Sequence, residues 1–217
     1  MSEMPLEHVH IEPETPSDGP APAVFVLHGR GANEQDLLPI AKELPDELHI
    51  VSFRAPDRLQ GGYTWYDLDL SAGGLHQSQP DAADFDRSLG LVDESVKAAV
   101  DAYDLDSDRL GLLGFSQGAI TSLSLLLEAP SEYQWVVGLH GYLPASHHEI
   151  EPEGIVDKPV FIAAGNADEI IPAARSEAAA ERFKELGATV TYNVYDAPHG
   201  VSPPELEDLV AFVENQL

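Results

Sequence analysis

Cysteine is absent from the 217 residues. That excludes a disulfide, a thiolate nucleophile and a cysteine-ligated zinc or iron–sulfur centre. Positive charge is scarce: Lys and Arg total 11 against 38 Asp and Glu. A phosphate backbone is bound by clustered basic side chains, so no nucleic-acid partner is expected. Long apolar runs are missing as well, and no window reaches the ~20 residues that cross a bilayer. The opening residues, MSEMPLEHVHIEPETP, lack a basic stretch followed by an apolar one. No secretory signal is therefore expected, and the expected location is cytoplasmic.

What is present is a globular composition, 43% hydrophobic, with clear periodic segments. The length suits one domain over 1–217 with a full-sized core, 1–22 forming an N-terminal strand and loop. The formal net charge of −27 comes from acids interleaved with core segments along the whole chain. A surface this negative repels itself at low ionic strength, whereas at 1 M salt the Debye length is only ~3 Å. In this respect the composition resembles that of halophilic archaeal proteins, which implies a cell with a multimolar-salt cytoplasm.

Periodicity predicts short, apolar, β-rich strands over 6–11, 23–27, 49–53, 109–113, 134–139, 160–164 and 189–195. Helices are predicted over 33–44, 82–103, 119–128, 172–186 and 204–215. The longest helix places Phe85, Leu89, Val92, Val96 and Val100 at helical spacing. Residues 54–80, with Gly61, Gly62, Gly73 and Gly74, read as a long irregular loop. Strands alternating with helices imply βαβ units, hence an α/β fold with a mostly parallel sheet covered on both faces.

Between the strand at 109–113 and the helix at 119–128 lies Gly114-Phe115-Ser116-Gln117-Gly118. A serine between two glycines at a strand-to-helix turn fits the G-x-S-x-G nucleophile elbow; it also fits a serine capping a helix. The glycines imply crowded backbone or positive φ. A serine hydroxyl needs a general base held by an acid. Asp168 follows the strand at 160–164, with Glu169 as a competing carboxylate, and His199 follows the strand at 189–195. The order Ser, Asp, His, with both partners after strands, matches that requirement. An oxyanion hole would use the backbone N–H of Gln117 and one from the turn Leu27-His28-Gly29-Arg30-Gly31, with Arg30 the chosen donor. His28 precedes Ser116 and is expected to shape that turn by hydrogen bonding. Tyr63-Thr64-Trp65-Tyr66-Asp67 either walls the site, with Trp65 and Tyr66 as substrate contacts, or anchors the glycine-rich loop. His8 and His10 share one strand face without a further ligand, and His147 and His148 are expected in an exposed loop. No metal and no cofactor are expected.

Five blocks, LHGRGANEQDLLPIA, RAPDRLQGGYTWYDL, GFSQGAI, GNADEIIP and APHGVSPPEL, resemble in one order the phospholipase/carboxylesterase family of α/β-hydrolases, which includes acyl-protein thioesterases. The resemblance covers nearly everything from Ala23 onward. It implies an α/β-hydrolase fold without a large cap domain, Ser116, Asp168 and His199 as catalytic residues, and Arg30 and Gln117 as oxyanion donors. Arg30 stands where acyl-protein thioesterases look apolar, and His140 where they look smaller; both departures bear on the substrate pocket, and His140 is a candidate substrate contact. The implied activity is hydrolysis of a small carboxylic ester through an acyl-enzyme. Thioester or lysophospholipid cleavage at the same site, or a noncatalytic binding protein on the same fold, are the alternatives. Oligomeric state, including a homodimer, stays open.

Overall fold

A computed structural model describes residues 4–15 and 19–217. Its centre is a seven-stranded sheet. The strands are β1 (His8–Ile11), β2 (Ala21–Leu27), β3 (His49–Phe53), then two short hairpins of β4 (Asp57–Leu59) with β5 (Gly62–Thr64) and β6 (Leu68–Asp69) with β7 (Gln79–Pro80), and finally β8 (Leu105–Phe115), β9 (Trp135–Leu139), β10 (Pro159–Gly165) and β11 (Thr189–Tyr195). The large sheet has the order β1-β3-β2-β8-β9-β10-β11. Only β1 runs antiparallel to its neighbour, β3, so the mostly parallel α/β fold is as expected.

Period-2 alternation sends residues of one strand to two cores. Ala23, Phe25 and Leu27 join the larger cluster, while Val24 and Val26 join the other. The larger core is closed by α2 (Ala82–Tyr103), α3 (Gln117–Glu128) and α4 (Ala173–Glu185), through side chains such as Phe85, Leu123 and Phe183. The opposite face is closed by α1 (Leu38–Ala41) and α5 (Pro203–Glu214), with Ala41, Leu209 and Val213. Burial on both faces explains why the inner strands read as continuous apolar runs.

Several boundaries differ from the expected ones. The helix expected over 33–44 is regular only at Leu38–Ala41. The Gln35 N–H donates to the Asn33 side chain at 2.9 Å, Asp36 N–H bonds the Asn33 carbonyl at 3.1 Å, and Pro39 offers no N–H, so tight turns replace the first helical turns. Strand β2 begins at Ala21, inside the segment expected to be loop, because Ala21 pairs with Leu105 across an irregularity. The same pairing lengthens β8. The stretch expected to be irregular, 54–80, contains both hairpins. His147 is buried, not exposed, and bonds Glu128 at 3.1 Å.

The parallel strands bring the ends of β2, β8, β10 and β11 to one edge of the sheet. Leu27 pairs with Gly114 and Gly165 with Tyr195. Between β2 and β8 the chain order reverses direction, the position where open α/β sheets leave a crevice.

Candidate active site

Ser116 sits between β8 and α3 with φ 54° and ψ −116°. The serine itself holds the positive φ; Gly114 and Gly118 do not. Their requirement is close approach. A Cβ on Gly114 would run into the Gly118 carbonyl, and one on Gly118 into the Leu27 carbonyl of the neighbouring strand. The two glycines thus let α3 start hard against β2, and the turn so formed holds Ser116 in a conformation L-residues rarely adopt.

Three side chains expected at the site meet. His199 Nε2 lies 3.0 Å from Ser116 Oγ, and His199 Nδ1 lies 2.6 Å from Asp168 Oδ2. Asp168 Oδ1 accepts the backbone N–H groups of Ile170 and Ile171, each at 2.9 Å. Because an ionised carboxylate only accepts, His199 carries its proton on Nδ1 and turns a lone pair toward the Ser116 hydroxyl. Burial works to raise the Asp168 carboxyl, but the donors from His199, Ile171 and His140 outweigh it and hold the group below the usual carboxylate range. Glu169, the competing carboxylate, is exposed.

The serine opens onto a cavity of about 280 Å³ whose wall includes Leu68, Leu75, Ile120, Tyr142, Ile170 and Ile171. Gly29, Arg30 and Gln117 also line it. Among the described residues, neither the N–H of Arg30 nor that of Gln117 donates to a protein acceptor. Gln117 is the first residue of α3, so its N–H lies at the positive end of a helix. The Gln117 side chain is buried in a clamp: Oε1 accepts from Thr64 Oγ1 at 2.9 Å and from the Trp65 N–H at 3.2 Å, while Nε2 donates to the Tyr66 carbonyl at 2.9 Å.

That clamp corrects the reading of Trp65 and Tyr66 as substrate contacts. Both are fully buried and neither lines the cavity. Trp65 Nε1 donates to the His28 carbonyl at 2.8 Å, so the aromatics anchor the loop, and the apolar wall comes from Leu68 and Leu75 further along it. His28 is buried with Nδ1 2.7 Å from the Gly29 carbonyl and Nε2 accepting from the Ala55 N–H, shaping the turn as expected. His140 is a second correction. It is fully buried behind the site and touches no cavity surface. Its Nδ1 lies 3.0 Å from Asp168 Oδ2 and its Nε2 3.3 Å from Oε2 of Glu205.

Glu205 was not foreseen from the sequence; the signal available was the capping-box pattern Ser202-Pro203-Pro204-Glu205 at the start of α5. His140, Asp168 and His199 offer ligand atoms within 4.8 Å of one another. Both imidazoles, however, turn Nδ1 to one carboxylate oxygen at hydrogen-bond distance. A cation there would need both Nδ1 lone pairs and would leave a proton on the His199 nitrogen facing Ser116, reversing its ability to accept. The donor set fits proton transfer better than metal binding.

A mostly parallel sheet with a strained serine after β8, the fourth strand of the large sheet in chain order, and an acid and a histidine after β10 and β11, defines the α/β-hydrolase class. Residues 8–217 match the model of the phospholipase/carboxylesterase family. The chain belongs to that family of hydrolases. It is 26% identical to acyl-protein thioesterase 1 of Candida albicans over 212 residues, covering 89% of this chain and 91% of the relative. It is 25% identical to a putative hydrolase of Bacillus subtilis over 198 residues, covering 91% and 94%. Among solved structures, the Bacillus cereus carboxylesterase superimposes with a TM-score of 0.85 at 26% identity, covering 98% of this chain and 95% of that one.

Proposed function

We propose that the chain is, as a single catalytic domain, a carboxylesterase in which Ser116 attacks an ester carbonyl. His199 takes the hydroxyl proton through Nε2, and Asp168 fixes the ring and stabilises the imidazolium that forms. The amides of Arg30 and Gln117 receive the developing oxyanion. His199 then protonates the departing alcohol, and water activated by the same ring releases the acid from the acyl-serine. The observation carrying this reading is the unbroken chain from Ser116 Oγ at 3.0 Å through His199 to Asp168 at 2.6 Å, at the mouth of an apolar cavity. The cavity supports a neutral ester with an apolar acyl or alcohol group as substrate.

A thioester is the second reading, favoured by the thioesterase relative; it passes through the same tetrahedral intermediate. The test is turnover of p-nitrophenyl esters and acyl thioesters of graded length, in high salt, alongside labelling by a fluorophosphonate. Ser116→Ala should abolish labelling and lower kcat/KM by about 10⁴-fold or more. A variant retaining most of the activity would defeat the assignment.

A further inference from the structure

Behind Asp168 the hydrogen bonds continue. Asp168 Oδ2 receives His199 Nδ1 and His140 Nδ1, and the far nitrogen of His140 faces Glu205. The side chains of His140, Asp168 and Glu205 have no solvent exposure. A neutral imidazole has one N–H, yet here each ring nitrogen meets a carboxylate oxygen. Glu205 Oε2 is already an acceptor, taking the Ser202 N–H at 3.2 Å. Two acceptors facing one ring call for two donors, and only the imidazolium has them.

We propose that His140 is a positioning residue held as a buried imidazolium by Glu205, and that it tunes the proposed base His199 through their shared Asp168. The inference rests on the assignment of Ser116, His199 and Asp168 above. Glu205 is the counter-charge that keeps a second cation inside the protein, and its Oε1 has no hydrogen-bond partner. The ring centroids of His140 and His199 lie 5.5 Å apart. Unit charges at that distance interact strongly enough, even at an effective dielectric near 20, to move a protonation equilibrium by about one pH unit or more. A cation at His140 opposes a second proton on His199 before substrate binds. It also shares the Asp168 charge, so His199 is oriented without being turned into a base too strong to give its proton back. The groups facing His140 are Asp168 from the loop after β10, His199 from the loop after β11, Glu205 from α5, and the uncharged Phe115 ring from β8, with centroids 5.6 Å apart. Burial works to lower the His140 ring, but its bonds to Glu205 and Asp168 outweigh it and raise the group above the ordinary histidine value.

The decisive measurement is imidazole ¹⁵N NMR of the full chain across pH, with the His140 signals assigned from those that His140→Asn removes or Glu205→Gln shifts. His140 should show two protonated ring nitrogens at neutral pH and titrate above the ordinary histidine midpoint of about 6.5. A neutral ring, with its proton on one nitrogen at pH 6.5, overturns the proposal. Activity gives the second arm. Glu205→Gln keeps the shape and an acceptor for His140 while removing the counter-charge. Its kcat/KM profile should have the acid limb moved up by about one pH unit, with KM little changed. An unmoved limb in a folded variant counts against the proposal. The NMR result does not depend on turnover, so it separates failure of this idea from failure of the Ser116 assignment, which Ser116→Ala tests by itself.

Discussion

Asp168 accepts four hydrogen bonds, two from backbone and two from imidazoles, and its protonation is therefore coupled to folding. Its folded value is held below the unfolded one, so its contribution to stability is present above about pH 4 and fades as pH falls through the lower folded value. His140 has the opposite sign. Its folded value is raised, so its contribution is complete below about pH 6.5 and is lost as pH rises through the higher folded value. The cluster therefore stabilises most between roughly pH 4 and 6.5. The urea midpoint of the wild type, measured at constant 2 M KCl, should drop between pH 6 and pH 9. Glu205→Gln removes the partner that raises His140 and should flatten that drop. Equal slopes in the two proteins would show that the pair is not the source.

At the scale of elements, one side chain joins two of them. Gln117 belongs to α3, yet its amide satisfies Thr64, Trp65 and Tyr66 in the segment between β5 and β6. Truncating it leaves the buried Trp65 N–H unpaired, while the Tyr66 carbonyl keeps the Thr64 hydroxyl as a donor at 2.8 Å; one such orphaned group costs about 1–3 kcal/mol. Gln117→Ala keeps the backbone N–H proposed for the oxyanion. It should lower stability by that amount and raise KM more than it lowers kcat, because Leu68 and Leu75, which follow the clamped residues, wall the cavity. A denaturant series with steady-state kinetics checks both; unchanged stability would mean the clamp is not formed. The clamp also marks where the sequence was legible and where it was not. The inner strands and the serine–acid–histidine order were readable because two-sided burial and strand-to-loop position leave local patterns at Val24, Leu112, Asp168 and His199. The role of Trp65 and the pairing of His140 with Glu205, 65 positions away, were not. Each depends on which distant backbone or carboxylate the fold brings near, and no local periodicity encodes that. Pro39 is a milder case: the apolar spacing of Leu37, Ala41 and Leu44 did find the buried face, but proline and an Asn33 turn reduced the helix to a single turn.

Over the whole molecule, attraction and repulsion between surface charges respond to salt in the same direction, so their balance decides the outcome. The attractive side is small. Arg54 bridges Glu7 and Glu34, Arg87 bridges Asp57 and Asp84, and Lys97 meets Asp93 at 2.9 Å. Apart from Arg54–Glu34, whose carboxylate is buried, these are exposed pairs of the kind that contribute about 0–1 kcal/mol each. The repulsive side is a net charge of −27, with exposed acids such as Asp86, Glu94 and Asp101 along α2 alone. Raising the salt weakens both, but each cation can answer only a few of 38 acids, so loss of repulsion wins. The urea midpoint should rise steadily from 50 mM to 2 M KCl, most steeply where the Debye length falls from about 10 Å toward 3 Å. Turnover of a neutral ester should rise with it, since the acid-bearing surface and the site share one folded state. KCl is the salt to use because strongly excluded anions such as sulfate would also strengthen apolar burial. A midpoint as high at 50 mM as at 2 M would mean that the acids are spaced widely enough for water alone to screen them, and the inference of a high-salt origin would fall with it.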